Sequence, residues 1–486
     1  MRLEDLLVAK GLLKATDLER AAERRQKHGG PLADNLLALR LITLEQLNAV
    51  LQMSPPAMPT AVADTGTAER TLLALLLKAM YSGGADTVPK LSDMLKLSAP
   101  VLQALLQEAG SQKLVKIVGA EGQGTIPVLT YALTEAGRDA AAEATRQSKY
   151  LGPAPIRLQA YIEQTQRQRL GNEKTSRDKI KDAFSDLIVT EQFANRLGPA
   201  INSGRSILLY GAPGNGKSSI AERIGRLFTD IIYIPYCIEV EGQIIKIFDA
   251  TVHQEIQRQT SASDIEIRGG DFDRRWVPCR RPLVIVGGEL TLEMLDLRYN
   301  EVANFYEAPL HIKALGGIFV IDDFGRQFVK PEALLNRWIV PLEERIDYLT
   351  LQTGATFSLP FDELVVFSTN LTPDDLMDPA FLRRIPYKIE LVAPSREQYR
   401  MIFERVAASK GLALSDAIFD WTVEELNQRR RFPLACYQPA FIVNQVIEAC
   451  AFDGRPPEMT EALVVAALDN LYTSTAKHRL PDGEAP

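Results

Sequence analysis

The chain predicts a multidomain α/β protein: a core with a parallel sheet and a helical lid, preceded by a small helical repeat and a helix-and-ribbon module. Three observations predict it. An apolar run ending at Tyr210 enters a glycine-rich turn closed by Lys217-Ser218. Between residues 178 and 394 short apolar runs alternate with helix-period segments, and after residue 395 only helix-period segments remain. At 486 residues the chain also exceeds what one core serves.

Apolar content of 46% and charged content of 24% are those of a soluble globular protein. The net charge of -7 and pI near 5.5 argue against a chain that coats nucleic acid, while leaving room for a local basic site. Met1-Arg-Leu-Glu-Asp5 lacks a signal pattern and no apolar stretch is long enough to cross a bilayer, so no membrane insertion and a cytoplasmic location are expected. Cys237, Cys279, Cys436 and Cys450 are scattered, which suggests neither a disulfide framework nor a zinc site. The four histidines are equally dispersed, and none is assigned a catalytic role.

Residues 1–52 contain a repeat: the stretch from Arg2 recurs from Pro31, 29 residues on, pairing Leu3 with Leu32, Leu7 with Leu36, Leu12 with Leu41 and Leu18 with Leu47. Each copy reads as two short amphipathic helices broken near Gly11 or Arg40. The duplication resembles the small N-terminal domain of type II secretion and type IV pilus assembly ATPases, some of which bind cyclic di-GMP. Binding copies there open Arg-Leu-Gly, whereas these open Arg2-Leu3-Glu4 and Pro31-Leu32-Ala33, which favours docking or oligomerisation over nucleotide binding. Residues 53–66, rich in Pro and Ala, read as a linker.

Residues 67–146 look like a winged helix. Helices over 71–81, 88–97 and 99–110 precede two strand-like runs, 114–118 and 126–133, with a wing turn at Gly119–Gly124. The third helix holds no Lys or Arg and carries Glu108, so protein contact is favoured over DNA contact. Residues 147–177 read as an extended connector with a Gln- and Arg-rich solvated helix.

The α/β core spans 178–394, with strands expected at 207–210, 231–234, 282–286, 318–321 and 364–367. The loop Gly211-Ala212-Pro213-Gly214-Asn215-Gly216-Lys217-Ser218-Ser219 fits G-x-x-x-x-G-K-[ST]. Backbone N–H groups and the next helix's N-terminus converge on phosphates, Lys217 reaches the β and γ phosphates, and Ser218 ligates Mg2+. A buried strand ending in Asp322-Asp323 offers one acid for Mg2+ and, in Asp323, a base for water. Ser368-Thr369-Asn370 ends another buried strand, where Asn370 can orient water or the γ phosphate. Arg383 and Arg384 follow, of the kind that phosphoryl transfer recruits from a neighbouring subunit. Residues 395–475 read as four helices and 476–486 as a frayed tail.

This order of features resembles the AAA+ ATPases over residues 178–475. The resemblance implies ATP and Mg2+ as cofactors, Lys217, Ser218 and Asp322 as their ligands, Asn370 as the polar sensor, and Arg384 with Arg383 as the finger acting on a neighbour's ATP. It also sets Ile188 and Val189 against adenine. It implies a homo-oligomeric ring, expected to be a hexamer, that remodels a protein partner recruited by the N-terminal modules. A slow-turnover scaffold and a DNA-handling ATPase are the alternatives. Residues 335–360, a helix then a hairpin turning near Thr353-Gly354, look like the pre-sensor hairpin of the MoxR-like branches, which commonly faces a central channel. Two departures stand out: Asp323 occupies the family's usual glutamate position, and Ala440 the place of a lid arginine. Residues 254–309 fit the pattern poorly. There Phe272 and Trp276 stand among arginines, either as a base-stacking or polypeptide-gripping surface or as a packed loop, and Tyr299, Phe305 and Tyr306 are further candidates for a channel loop.

Overall fold

The computed structural model describes residues 7, 12–28, 32–42, 55–121, 128–172, 174–256, 272–376 and 379–472. Arg2-Leu3-Glu4, Pro31 and Leu47 of the repeat, residues 122–124 of the wing turn, Arg268, Asp378 and the tail lie outside the described residues.

Five strands run parallel in the order Tyr387–Glu390, Ile207–Tyr210, Leu364–Thr369, Ile318–Ile321, Leu283–Val286. The three central strands are nearly continuous apolar runs because helices cover both faces. Alternation divides their side chains: Leu209, Val320 and Val366 pack with Phe193, Leu197 and Ile220, whereas Leu208, Phe319 and Phe367 meet Leu334, Leu335 and Trp338 on the other face. One expected strand lies elsewhere. Ile231–Pro235 pairs antiparallel with Trp276–Arg280 in a separate ribbon, and the parallel sheet takes Tyr387–Glu390 instead. The β-forming run Ile-Ile-Tyr-Ile marks a strand but carries no information about its neighbour.

A second five-stranded sheet has the order Arg298–Asn300, Phe305–Glu307, Gln243–Lys246, Cys237–Val240, Ile156–Arg157. Two segments read as connecting chain are built into this region. Ile156–Arg157 supplies its edge strand, and the helix Leu158–Arg167 buries Tyr161 against it. Residues 55–66 are likewise ordered: the Asp64 carboxylate accepts hydrogen bonds from the backbone N–H groups of Thr60 and Ala61 at 3.2 and 2.9 Å, closing a turn. Thr67 Oγ1 then donates to Pro155 O at 2.7 Å. The hairpin forms as Ile346–Thr350 and Thr356–Pro360, with Gly354 at φ 85°; Leu349, Leu351 and Leu359 are buried while Tyr348 is exposed.

In the N-terminal repeat, Leu12 N–H donates to Leu7 O and, 29 residues on, Leu41 N–H donates to Leu36 O. Leu7, Leu13, Leu36 and Ile42 share one small core. The next module has helices Glu69–Tyr81, Val88–Leu95 and Ala99–Ser111, then the ribbon Val115–Glu121 with Val128–Leu133 and the helix Glu135–Gln147. Thr134 caps that last helix, accepting from Gly137 N–H at 3.0 Å, and Gly137 is required because a Cβ would lie 2.0 Å from Leu114 O. The lid is four helices, Arg396–Ser409, Asp416–Glu424, Gln438–Phe452 and Glu461–Leu471, with their own core around Phe403, Phe419 and Val446. Among the described residues no helix is long and apolar enough to cross a membrane.

Candidate functional site

Parallel strands place their carboxyl ends on one edge of the sheet, where ligands of such sheets sit. The strand order sets Leu364–Thr369 between Ile207–Tyr210 and Ile318–Ile321, with Thr369 opposite Tyr210 and Phe367 opposite Ile321. Asn370 therefore emerges between the glycine loop and the acid pair.

The glycine loop is held by two close approaches. A Cβ on Gly211, at φ 138°, would lie 2.3 Å from Leu391 O, and one on Gly214, at φ 83°, would lie 2.1 Å from the Tyr437 ring. Tyr437 N–H also donates to Gly214 O at 3.2 Å, so the lid is joined to the loop through the backbone. Lys217 opens the helix Lys217–Ile224 and is buried. Its Nζ donates to Gly211 O and Ala212 O, both at 2.9 Å. Burial lowers its pKa, opposed by the charges of Asp322 and Asp323. Asn215 is buried, its Nδ2 donating to Leu391 O at 3.3 Å.

Asp322 Oδ1 accepts from Asp323 N–H at 3.0 Å, and Asn370 Nδ2 donates to Asp323 Oδ1 at 3.3 Å. Asp323 sits at φ 49°, in the left-handed region. The Gln327 amide surrounds this turn, with Nε2 donating to Asp322 O and Asp323 O at 3.0 and 3.2 Å and Oε1 accepting from Gly325 N–H at 2.8 Å. Thr369 Oγ1 donates to Phe324 O at 2.7 Å, locking the two strand ends together.

The glycine loop from Pro213, the acid pair and Asn370 line one cavity of about 600 Å3. Its polar wall is the loop from Pro213 to Ser219 with Asp322, Asp323 and Asn370; its apolar wall combines Ile188 and Val189 with Ile402, Val406 and Ala440 of the lid. The set fits an ATP with its Mg2+. Lys217 has only loop carbonyls to give up, Ser218 and Asp322 are the oxygen ligands a hard cation takes, and the apolar wall matches a base. The second loop serine, Ser219, lines the cavity as well.

The two arginines lie elsewhere. Arg383 is exposed, while Arg384 pairs with Glu343 at 2.6 Å and stands over the Phe381 ring at 5.3 Å; neither lines the cavity. Sequence reasoning missed Asp186, Arg405, Cys436 and Tyr437, all of which line it. The 402/406 spacing on the first lid helix was a usable signal, with Arg405 beside it and donating to Ser185 O at 3.0 Å. Much of the Arg–Trp stretch turns out to be packing. Trp276 and Arg275 are buried, with Arg275 fastened to Asp273, Thr65 O and Pro155 O. Arg281 is fastened to Asp230 and Gly316 O.

The chain has a mixed α/β fold built on a parallel five-stranded sheet. A family model described as a domain of unknown function, DUF8689, matches residues 395–470, which is the lid. No curated protein sequence matches the chain. Among solved structures it is similar to the Holliday junction branch migration motor RuvB of Thermotoga maritima (15% identity, 58% of this chain and 70% of that one, TM-score 0.33). It is also similar to NtrX of Brucella abortus (14%, 72% and 69%, TM-score 0.37) and to domain III of the replication initiation protein DnaA of Thermotoga maritima (12%, 61% and 98%, TM-score 0.33). These likenesses are distant and concern fold alone.

Proposed function

We propose that the chain is an ATP-binding and ATP-hydrolysing AAA+ ATPase that works as a ring, most simply a hexamer, and remodels a protein partner. The observation that carries this is the position of Asn370 between the glycine loop and Asp322-Asp323, all facing one cavity. In this reading the loop N–H groups and the helix N-terminus hold the phosphates, and Lys217 exchanges Gly211 O and Ala212 O for phosphate oxygens. Ser218 and Asp322 would hold Mg2+, which would supply positive charge against the developing phosphate charge. Asp323 takes the proton of the attacking water, and Asn370 orients that water while holding the Asp323 carboxylate. Ile188 and Val189 receive the base.

A neighbouring subunit's arginine completes the site, and an interface of that kind closes into a ring. Arg383 is free to reach outward, whereas Arg384 must first leave Glu343. The helix Ala99–Ser111, which carries Glu108 and no Lys or Arg, supports a protein partner for the N-terminal modules, with cyclic di-GMP and DNA as lesser candidates there. The slow-turnover scaffold is a second reading, supported by Asp323, one methylene shorter than glutamate and already engaged by Asn370. Steady-state ATP hydrolysis by the full chain tests both. Turnover lost in Lys217→Ala supports the ATPase; Mg-ATP bound with no turnover in wild type supports the scaffold.

A further inference from the structure

Two cavities that share no residue with the nucleotide site adjoin across Tyr236, which lines both. The first, about 440 Å3, is walled by the half-buried rings of Tyr236, Phe248 and Phe305 and by the buried Tyr150. Lys149 and Lys246 also line it, both exposed, and neither ammonium has a partner among the described residues. Among the described residues no carboxylate lines it. The second, about 420 Å3, repeats the chemistry with the half-buried Phe272 ring, Lys96 and Arg274, over a floor that includes the buried Trp276. Among the described residues Glu255 is its one lining carboxylate, and Arg274 also meets Asp93 at 2.9 Å.

The rings are fixed in place. Tyr236 and Phe248 meet edge to face at 5.3 Å, Tyr150 and Phe305 at 5.7 Å, and the Tyr236 carbonyl accepts from both Ile247 and Phe248 N–H groups. Fixed aromatic rings accept a planar π system, and unpartnered ammoniums call for anions. Because the same pairing of ring and cations occurs on both sides of one tyrosine, the matching ligand carries a flat ring and a negative charge in each repeating unit. A lone nucleotide needs only one cavity, and a duplex hides its base faces.

We propose that these cavities form one groove for single-stranded nucleic acid, with bases stacked at Tyr236 and phosphates neutralised by Lys149 and Lys246. The groove goes beyond the protein-remodelling reading and stands separately from it. It also relocates the basic–aromatic surface expected near Trp276: Phe272 and Arg274 line the groove, while Arg275 and Arg281 are structural.

The test is fluorescence anisotropy of a labelled twelve-nucleotide oligo-dT with the full chain over a salt series. Lys149→Ala/Lys246→Ala should weaken binding about tenfold or more and reduce the log–log salt slope by about 1.4 for two lost phosphate contacts. Tyr236→Leu should weaken it at least about fivefold with the slope unchanged, and Tyr236→Phe, which keeps the ring, should bind as wild type. Lys217→Ala should bind oligo-dT normally, so failure of the ATP reading and failure of the groove are told apart. No binding at low salt would overturn the proposal, as would affinity indifferent to the lysine pair, or tighter binding of a glutamate–tyrosine copolymer, which would make the occupant a peptide.

Discussion

At the scale of single residues, the site depends on groups that are each held by something other than the ligand. Lys217 rests on its own loop's carbonyls, so Lys217→Ala should leave the fold intact and weaken ATP binding by roughly a hundredfold, the worth of one charge-assisted hydrogen bond, as titration calorimetry would read. Asp323→Ala should retain ATP and lose turnover by about 100-fold or more in kcat. Away from the site, Lys78 is buried with its Nζ on Ser148 O and Tyr150 O, and desolvation lowers its pKa from 10.5 to about 8. Between those values the unfolded chain binds a proton that the folded chain does not, so the contribution of Lys78 to stability should rise with pH across that window, while the buried thiols of Cys237 and Cys279, pushed up to about 12, contribute in the opposite sense. The stability difference between wild type and Lys78→Met should therefore shift in favour of wild type from pH 8 to pH 10 in denaturant titrations, and a difference independent of pH would contradict it.

Elements explain what was legible. The glycine loop, the acid strand and the Ser-Thr-Asn strand were readable because each couples an apolar run to an abrupt polar end, a signature contained in a few consecutive residues. The sheet edge was not. Tyr387–Glu390 is a short, half-polar strand with no such signature, and the more convincing Ile231–Pro235 belongs to another ribbon. Ile156–Arg157 and residues 55–66 read as connecting chain because distant partners hold them, Cys237–Val240 for the first and Asp273 and Arg275 for the second. For the same reason the lid's share of the site, Tyr437 above all, was invisible: what makes it functional is its seat on Gly214. Tyr437→Ala should therefore raise KM for ATP about three- to tenfold, the worth of one aromatic contact, with kcat little changed.

At the scale of the whole molecule, the proposed ATP site lies between the parallel sheet and the C-terminal helices, and Arg383 and Arg384 are outside its lining. A site completed by a neighbour makes turnover depend on assembly. Arg383→Ala/Arg384→Ala should bind ATP normally yet lose about 1,000-fold or more in kcat, and mixing it with inactive Lys217→Ala subunits should restore turnover at shared interfaces. The most direct test of the central claim is Mg-ATP hydrolysis by the assembled chain, wild type against Lys217→Ala. Turnover present in the first and abolished in the second is the predicted result, and unchanged turnover in Lys217→Ala would contradict the account.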